Sequence, residues 1–292
     1  METSKQRQVV LYFIFIILCA VIIIPFIMLV SVSFDNEKMI AHYGYSLIPK
    51  QFDLSAYKYI FNNPQSIIDA YKVTIIYSFA AAFLSTLLQS MLAYSLSKIY
   101  FKGRNVISFV LYFTMMFNGG MVASYILYTK YLHIGDTIWI YILTGLVSPW
   151  NVFMIRSFMQ NLPEGMMESA RVDGASEVMM YTMFALPLTK PVLATVAFTT
   201  LLAKWNDWAT AMIYINNEKL VSLQYLLQRI LQNIELIQNS GTDVQNMMSV
   251  ADIPSESTRM AMAVIAIGPM LFVFPFFQKY FVRGMTVGSV KG

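Results

Sequence analysis

Apolar residues in this chain do not alternate with polar ones as on a soluble amphipathic helix; they run on for a membrane's width at a time. The first run, Val9 to Phe34, follows Lys5 and Arg7 and is about 26 residues long, against the roughly 7–15 of a signal-peptide core. It lacks a small-residue cleavage site, so a retained anchor is expected. Since about 20 apolar residues cross the hydrocarbon, five further spans are predicted at Val73 to Leu96, Val106 to Tyr128, Ile138 to Ile155, Pro191 to Ile215 and Ala261 to Val282. Pro149, Pro269 and Pro275 fall inside spans, where neighbouring helices can take up the freed carbonyls. Between spans, one connection stands out. Residues 156–190 are far too many for a turn, and their signals predict two helices. The first runs from about Pro163 to Val172, with proline and acidic residues in its opening turns and Asp173-Gly174 as a left-handed stop. The second runs from about Ser176 to Ala185 and is ended by Leu186-Pro187.

Composition agrees with this reading. Of 292 residues 57% are hydrophobic and only 12% charged, about half the charge of an ordinary globular domain. That excludes a cytosolic enzyme, a disordered scaffold and a nucleic-acid binder, and the expected class is all-α with six transmembrane helices in a single domain, 1–292. With the N-terminus inside, the inner segments hold eleven of the twenty lysines and arginines in the shorter connections, and the outer ones hold eight beside ten acidic residues. This positive-inside bias places both termini in the cytoplasm. The formal charge of +4 thus reports topology rather than a polyanionic partner. The single cysteine, Cys19, lies in the first apolar run and can form no internal disulfide.

The outer segments are two long loops, Asp35 to Lys72 and Asn216 to Met260, and one short connection between the third and fourth spans. In the second long loop, Leu220, Leu223, Leu227, Ile230, Ile234 and Ile237 recur at helical spacing, which predicts an amphipathic helix over 219–237. It either caps the bundle or docks a partner.

Candidate chemistry is sparse. Lys204, Trp205, Asn206, Asp207 and Trp208 interrupt the fifth span, where an ionised group is costly. Lys204 and Asp207, three apart, can pair on one helix face. The segment lines a polar path, or the pair only holds two spans together; replacing both charges should recover the assembly lost on replacing one, with transport still impaired only if the groups also contact cargo. Asn118, before Gly119-Gly120, lines the same path or marks a close helix contact. His42 and His133 have no second ligand nearby, so no metal site is expected. No G-x-x-x-x-G-K-[ST] occurs, so the chain does not itself cradle ATP phosphates. An intramembrane hydrolase would need a second acid or nucleophile to match Asp207, and a proton-coupled secondary transporter would show internal repeats.

The inner loop carries a resemblance. Glu168-Ser169-Ala170, three residues, Gly174, nine residues and Phe184-Ala185-Leu186-Pro187 resemble the E-A-A-x-x-x-G-x(9)-I-x-L-P signature of permease subunits of binding-protein-dependent ABC importers. Ser169 and Phe184 depart from its usual alanine and isoleucine. Gly135 to Trp139, Asn151 to Arg156, Ala170 to Ser176, Trp205 to Trp208 and Gln278 to Gly284 are similar to the carbohydrate-uptake, maltose-type class. The closing Gly288 to Gly292 is similar to a subgroup importing oligosaccharides and polysaccharide fragments. The resemblance covers a core of about 71–282.

It implies a type I ABC importer permease fold in the bacterial cell membrane, with 156–190 as the coupling loop. It also implies a second homologous permease in a heterodimer, two copies of a cytoplasmic ATPase holding ATP and magnesium, and an extracytoplasmic binding protein delivering sugars or oligosaccharides. The chain itself would need no cofactor; its other contacts would be membrane lipid and no nucleic acid. Glu168, Ser169, Ala170, Asp173, Gly174, Leu186 and Pro187 would be the ATPase-coupling residues. Import of another solute class by the same machinery is the alternative.

Overall fold

The computed structural model describes residues 5–239 and 255–288. Gly288 is thus the last residue described, and the rest of the closing segment 288–292 lies outside the described residues. The chain is helical throughout; among the described residues the only strand-like pairing is an isolated antiparallel bridge between Asp35 and Phe52. In chain order come α1 (Lys5–Ser33), α2 (Glu37–Tyr43), α3 (Ser55–Ile60), α4 (Pro64–Ser97), α5 (Arg104–Met116), α6 (Gly120–Ile126), α7 (Ile138–Leu143), α8 (Pro149–Gln160), α9 (Glu164–Val172) and α10 (Glu177–Met180). A π-turn, Tyr181–Ala185, leads into α11 (Leu186–Leu188), followed by α12 (Lys190–Trp205), α13 (Ala209–Tyr214), α14 (Leu223–Asn239) and α15 (Glu256–Gly288).

All six expected spans carry helix, but only three are uninterrupted helices long and apolar enough to cross a membrane: Gln8–Ser33, Pro64–Ser97 and Glu256–Lys279. The third bends by 117° between Arg104–Met116 and Gly120–Tyr131. Gly120 takes φ +81° at that break, a left-handed backbone that only glycine adopts at little cost. The fourth is two short helices, because Gly145 at φ +64° stops α7 and Pro149, which lacks the N–H an interior position needs, opens α8. The fifth ends at Trp205 and resumes at Ala209. A further bent pair, Glu177–Leu188 with Lys190–Trp205, meets at 79°. Pro187 therefore does not end the second loop helix, as the sequence suggested. The π-turn lets the Leu186 N–H bond to the Tyr181 carbonyl, and the wider ring accommodates the proline one residue on.

The described residues fall into two compact units, Met1–Ile67 with Leu226–Pro269, and Ile68–Tyr225 with Met270–Gly292. In the first, the loop after α1 is ordered by two carboxylates. Asp35, 2% exposed, accepts from the backbone N–H groups of Asn36, Gln51 and Lys50, each at 3.0 Å. Glu37 caps the start of α15, accepting from the Glu256 N–H at 2.9 Å, the Ser257 N–H at 3.1 Å and the hydroxyls of Ser255 and Ser257. A carboxylate at a helix N-terminus meets both orphan N–H groups and the positive end of the dipole. Burial would lift the Glu37 carboxyl, but these bonds outweigh it and hold it below the usual range. The expected amphipathic helix is α14, and Leu227 and Ile234 on its apolar row are buried.

The second unit has its core where α4, α8, α9 and the π-turn meet, around Ala93, Leu96, Val152, Ile155, Met180 and Ala185. Farther along α4, Tyr77 stacks on Tyr141 of α7 with ring centroids 4.2 Å apart.

Candidate functional site

Two places in the second unit bring polar side chains together: the α9–α10 loop, and the helix breaks after α7 and α12.

Pro163 is the N-cap of α9 rather than its first helical residue. At the other end, Asp173 is the C-cap and Gly174 stands at φ +80°. The Gly174 N–H donates to the Arg171 carbonyl at 3.1 Å and the Ala175 N–H to the Ala170 carbonyl at 2.9 Å, the paired bonds of a Schellman stop. Nothing lies within 4 Å of where a Gly174 side chain would begin, so glycine is required there by backbone conformation and not by space. Met167 and Ala170 turn inward to the core, whereas Glu168, Ser169, Asp173 and Gly174 are exposed and Val172 is 88% exposed. Of the expected coupling residues, then, Ala170 is an anchor rather than a contact surface, Leu186 packs on the same core, and Pro187 is exposed.

Sequence reasoning missed Glu177. Its carboxylate accepts from Tyr100 at 2.6 Å and Tyr94 at 2.9 Å, and Arg171 donates to the Tyr100 hydroxyl at 2.9 Å while standing 3.5 Å from Glu177. Lys98 lies over the Tyr94 ring, 4.4 Å from its centroid. Burial would raise the Glu177 carboxyl, but the two hydroxyls and the charges of Lys98 and Arg171 hold it below the usual carboxylate range. Burial and the bond to Glu177 together push the Tyr100 hydroxyl up to about 12. The network ties the end of α9 and the start of α10 to the end of α4. Ser176, whose hydroxyl caps α10 by accepting from the Met179 N–H, was the only local signal, since the tyrosines lie 83 and 77 residues away.

At the second place the sequence expectation is corrected. Lys204 does not pair with Asp207. Its ammonium donates to the carbonyls of Thr144 at 2.6 Å and Tyr141 at 2.7 Å, and to the Thr144 hydroxyl at 3.2 Å. The Asp207 carboxylate instead accepts from the Thr210 N–H at 2.9 Å and hydroxyl at 2.6 Å, holding the start of α13. The physical reason is the break in the fourth span: a helix C-terminus leaves carbonyls unpaired, and a cation there meets both those acceptors and the dipole. From α4, Ser85 and Gln89 complete the repair by donating to the Leu146 carbonyl at 2.8 and 2.9 Å.

Around this repair lies an open cavity of about 400 Å³ whose walls include Gln89, Thr144, Asn151, Thr199, Lys204 and Asp207. A second, of about 370 Å³, shares Thr144 and is bordered by Asn118, Ser124 and Thr210. Asn118 also accepts from the Gly120 N–H at 2.8 Å, shaping the bend before α6. Trp205 is not a wall residue: it is 1% exposed and belongs to the core with Phe198 and Leu201. Asn206 and Trp208 are exposed but outside these walls, Asn206 donating to the Leu202 carbonyl at 2.9 Å. The helical period separates the two faces, with 198, 201 and 205 inward and 199, 203, 204 and 207 on the cavity. Among the described residues no three His, Cys, Asp or Glu side chains gather to hold a metal ion.

Comparison with known proteins gives this geometry a context. The family described as "Binding-protein-dependent transport system inner membrane component" matches residues 89–287. Protein LplC of Bacillus subtilis (strain 168) is 37% identical over 273 residues, which is 94% of this chain and 90% of that one. The polygalacturonan/rhamnogalacturonan transport system permease protein YtcP of the same organism is 33% identical, covering 99% of both chains. Among solved structures, the crystal structure of a bacterial ABC transporter involved in the import of the acidic polysaccharide alginate is similar with a TM-score of 0.77 and 25% identity, over 96% of this chain and 99% of that chain.

Proposed function

Since this chain belongs to the inner-membrane components of binding-protein-dependent transport systems, we propose a division of labour among its surfaces. The chain is a membrane-embedded permease subunit of an ABC importer for sugars or oligosaccharides, a transport subunit rather than an enzyme. The exposed side of α9, with Glu168, Ser169, Asp173 and Gly174, engages a cytoplasmic ATPase that holds ATP and magnesium. Two copies of that ATPase, a second permease and an extracytoplasmic binding protein complete the machine, and both termini face the cytoplasm. No cofactor is assigned to this chain. The cavity between α4, α7, α8 and α12 and its neighbour beside α6 and α13 pass the cargo by alternating access. Their hydroxyl and amide walls suit a polyhydroxylated solute, and a ligand biases such a two-state element only through its different affinity for the two states.

One observation carries this reading: α9 is anchored inward by Met167 and Ala170 and stopped by a left-handed Gly174, which leaves the opposite side without cover among the described residues. Asp207, already engaged by Thr210, is a structural group, which disfavours the hydrolase reading.

Gly174→Val tests it. A non-glycine residue in left-handed geometry costs roughly 1–2 kcal/mol, and a β-branched one is among the worst placed there. The variant should reach the membrane at normal level, lose most of its ATPase partner on purification and stop oligosaccharide uptake. Wild-type uptake by a normally inserted variant would sink the reading.

A further inference from the structure

Tyr181 and Ser90 form a buried contact that neither site uses. Tyr181 opens the π-turn that follows α10 and is 8% exposed, and Ser90 on α4 is 1% exposed. Their hydroxyl oxygens are 2.6 Å apart. Ser90 Oγ gives its own proton to the Leu87 carbonyl at 2.8 Å, and a serine hydroxyl has only one to give. The Tyr181 O–H is therefore the donor and Ser90 the acceptor. One turn further along α4, the Tyr94 ring lies against that of Tyr181, with centroids 5.3 Å apart, and the Tyr94 hydroxyl donates to Glu177. The loop thus meets α4 at two successive turns, the Tyr181 contact buried and the Glu177 contact half-exposed.

The residue beside Ser90 serves the cavity. Gln89, about 100° round the helix from Ser90, borders it and donates to the Leu146 carbonyl at 2.9 Å, as Ser85 does at 2.8 Å. Adjacent residues of α4 therefore hold the loop on one side and the broken fourth span on the other. The chain's own route from loop to cavity is interrupted, since it passes the π-turn and then the 79° bend before α12. By contrast α4 runs unbroken to Ser97, with no glycine and no proline after Pro64, the residues at which helices most often kink. It is also held farther back, where Tyr77 donates to the Lys204 carbonyl at 3.1 Å. The π-turn that Tyr181 opens is a rare form found mostly at functional sites. We propose that the Tyr181–Ser90 bond is the joint through which the α9–α10 loop sets the cavity wall at Leu146, with α4 as the lever and Tyr181 and Ser90 as positioning residues. This rests on α9 as the ATPase contact and on the cavity as the cargo path.

The test uses the assembled transporter with its binding protein, in a Cys19→Ala background that removes the single cysteine of the sequence. Ser148→Cys, on the cavity wall two residues from Leu146, is the reporter. Its rate of labelling by a small water-soluble methanethiosulfonate is measured with and without a non-hydrolysable ATP analogue and magnesium, and in the otherwise unchanged chain the nucleotide should alter that rate. Tyr181→Phe removes the bond yet leaves Ser90 donating to Leu87, so no donor is orphaned. Membrane level and co-purification of the ATPase should stay normal, while the nucleotide's effect on labelling shrinks roughly fivefold, the low end of coupling between sites. Ser90→Ala should shrink it as much, and the double variant no more than either single one, because both act through one bond. Ser95→Ala, whose hydroxyl donates to the Met91 carbonyl of its own helix, should keep the full effect. Should Tyr181→Phe fail to assemble, Ser90→Ala carries the comparison. A full nucleotide effect in Tyr181→Phe, or losses that add in the double variant, would overturn the proposal. Loss of the ATPase from Tyr181→Phe would make Tyr181 a docking residue and overturn it equally. A nucleotide that leaves the labelling of Ser148→Cys unchanged in the otherwise unaltered chain would strike the cargo-path reading itself, and the proposal with it.

Discussion

Lys204 and Glu177 each carry the charge at the centre of a network that joins a helix break to its neighbours, and they are held in opposite ways. Lys204 points into the end of α7, where the carbonyls of Tyr141 and Thr144 have no intrahelical N–H to accept. Glu177 sits at the rim, with 48% of its side chain exposed, and its partners are the hydroxyls of Tyr94 and Tyr100 and the guanidinium of Arg171. Water can replace a lost partner at the rim. It does so less readily at Tyr141, which is fully buried, where an unmet carbonyl keeps most of its desolvation cost. The same count of contacts is therefore structural in one region and adjustable in the other, which suits the proposed role of α9 in following the ATPase's cycle.

The sharpest way to break that contrast is Lys204→Met. It orphans two carbonyls at about 1–3 kcal/mol each, so the chain's level in the membrane and sugar uptake should both fall steeply. Adding Asp207→Asn should not restore them, because the lysine's partners are on α7 and not on Asp207. Recovery in the double variant would revive the direct ion pair.

A smaller effect is expected from Glu168→Lys, an exposed position on α9. If docking buries it in a charged hydrogen bond, reversal costs about 1–3 kcal/mol of association, read as reduced co-purification of the ATPase with the chain's membrane level unchanged. Undiminished recovery with normal coupled hydrolysis would remove Glu168 from the interface.

Glu177→Gln should do least. Solvent screens a half-exposed network to below about 1 kcal/mol, so insertion should be normal and the change should appear as less sugar moved per ATP hydrolysed. The sign of its pH dependence follows from the direction of the shift. The Glu177 carboxyl is held below its ordinary value, so its contribution is complete above that value, about pH 4.3, and fades only as pH falls through the lowered one. The gap between wild type and variant should thus be constant from about pH 6 to 8. A gap that opens or closes within that range would mean another group titrates.

Much of α9 was legible because helix ends are written locally. Pro163 before Glu164 and Asp173-Gly174 at the close each act within one turn, and the structure moves the start by only one residue. The same local reading failed at Pro187, since a π-turn is a packing outcome with no short motif behind it. Gly145 and Pro149, four apart, were a visible warning that the fourth span would break, yet proline is tolerated in many membrane helices. Spacing by three correctly put Lys204 and Asp207 on one face, and both border the same cavity. It said nothing of α7, which offers the lysine better acceptors.

The amino-acid sequence by itself determined the helical class, the apolar runs, the loop that protrudes between α8 and α12 and the Gly174 stop, because each follows from hydropathy or from backbone chemistry within a few residues. Only the tertiary structure decided which expected spans are broken, that Ala170 and Trp205 face inward, that Lys204 serves the end of α7, and that Glu177 is bound by tyrosines from α4 and the turn after it. Those outcomes depend on groups dozens of residues apart competing for the same few donors and acceptors, and the competition is settled by which helix ends are brought together.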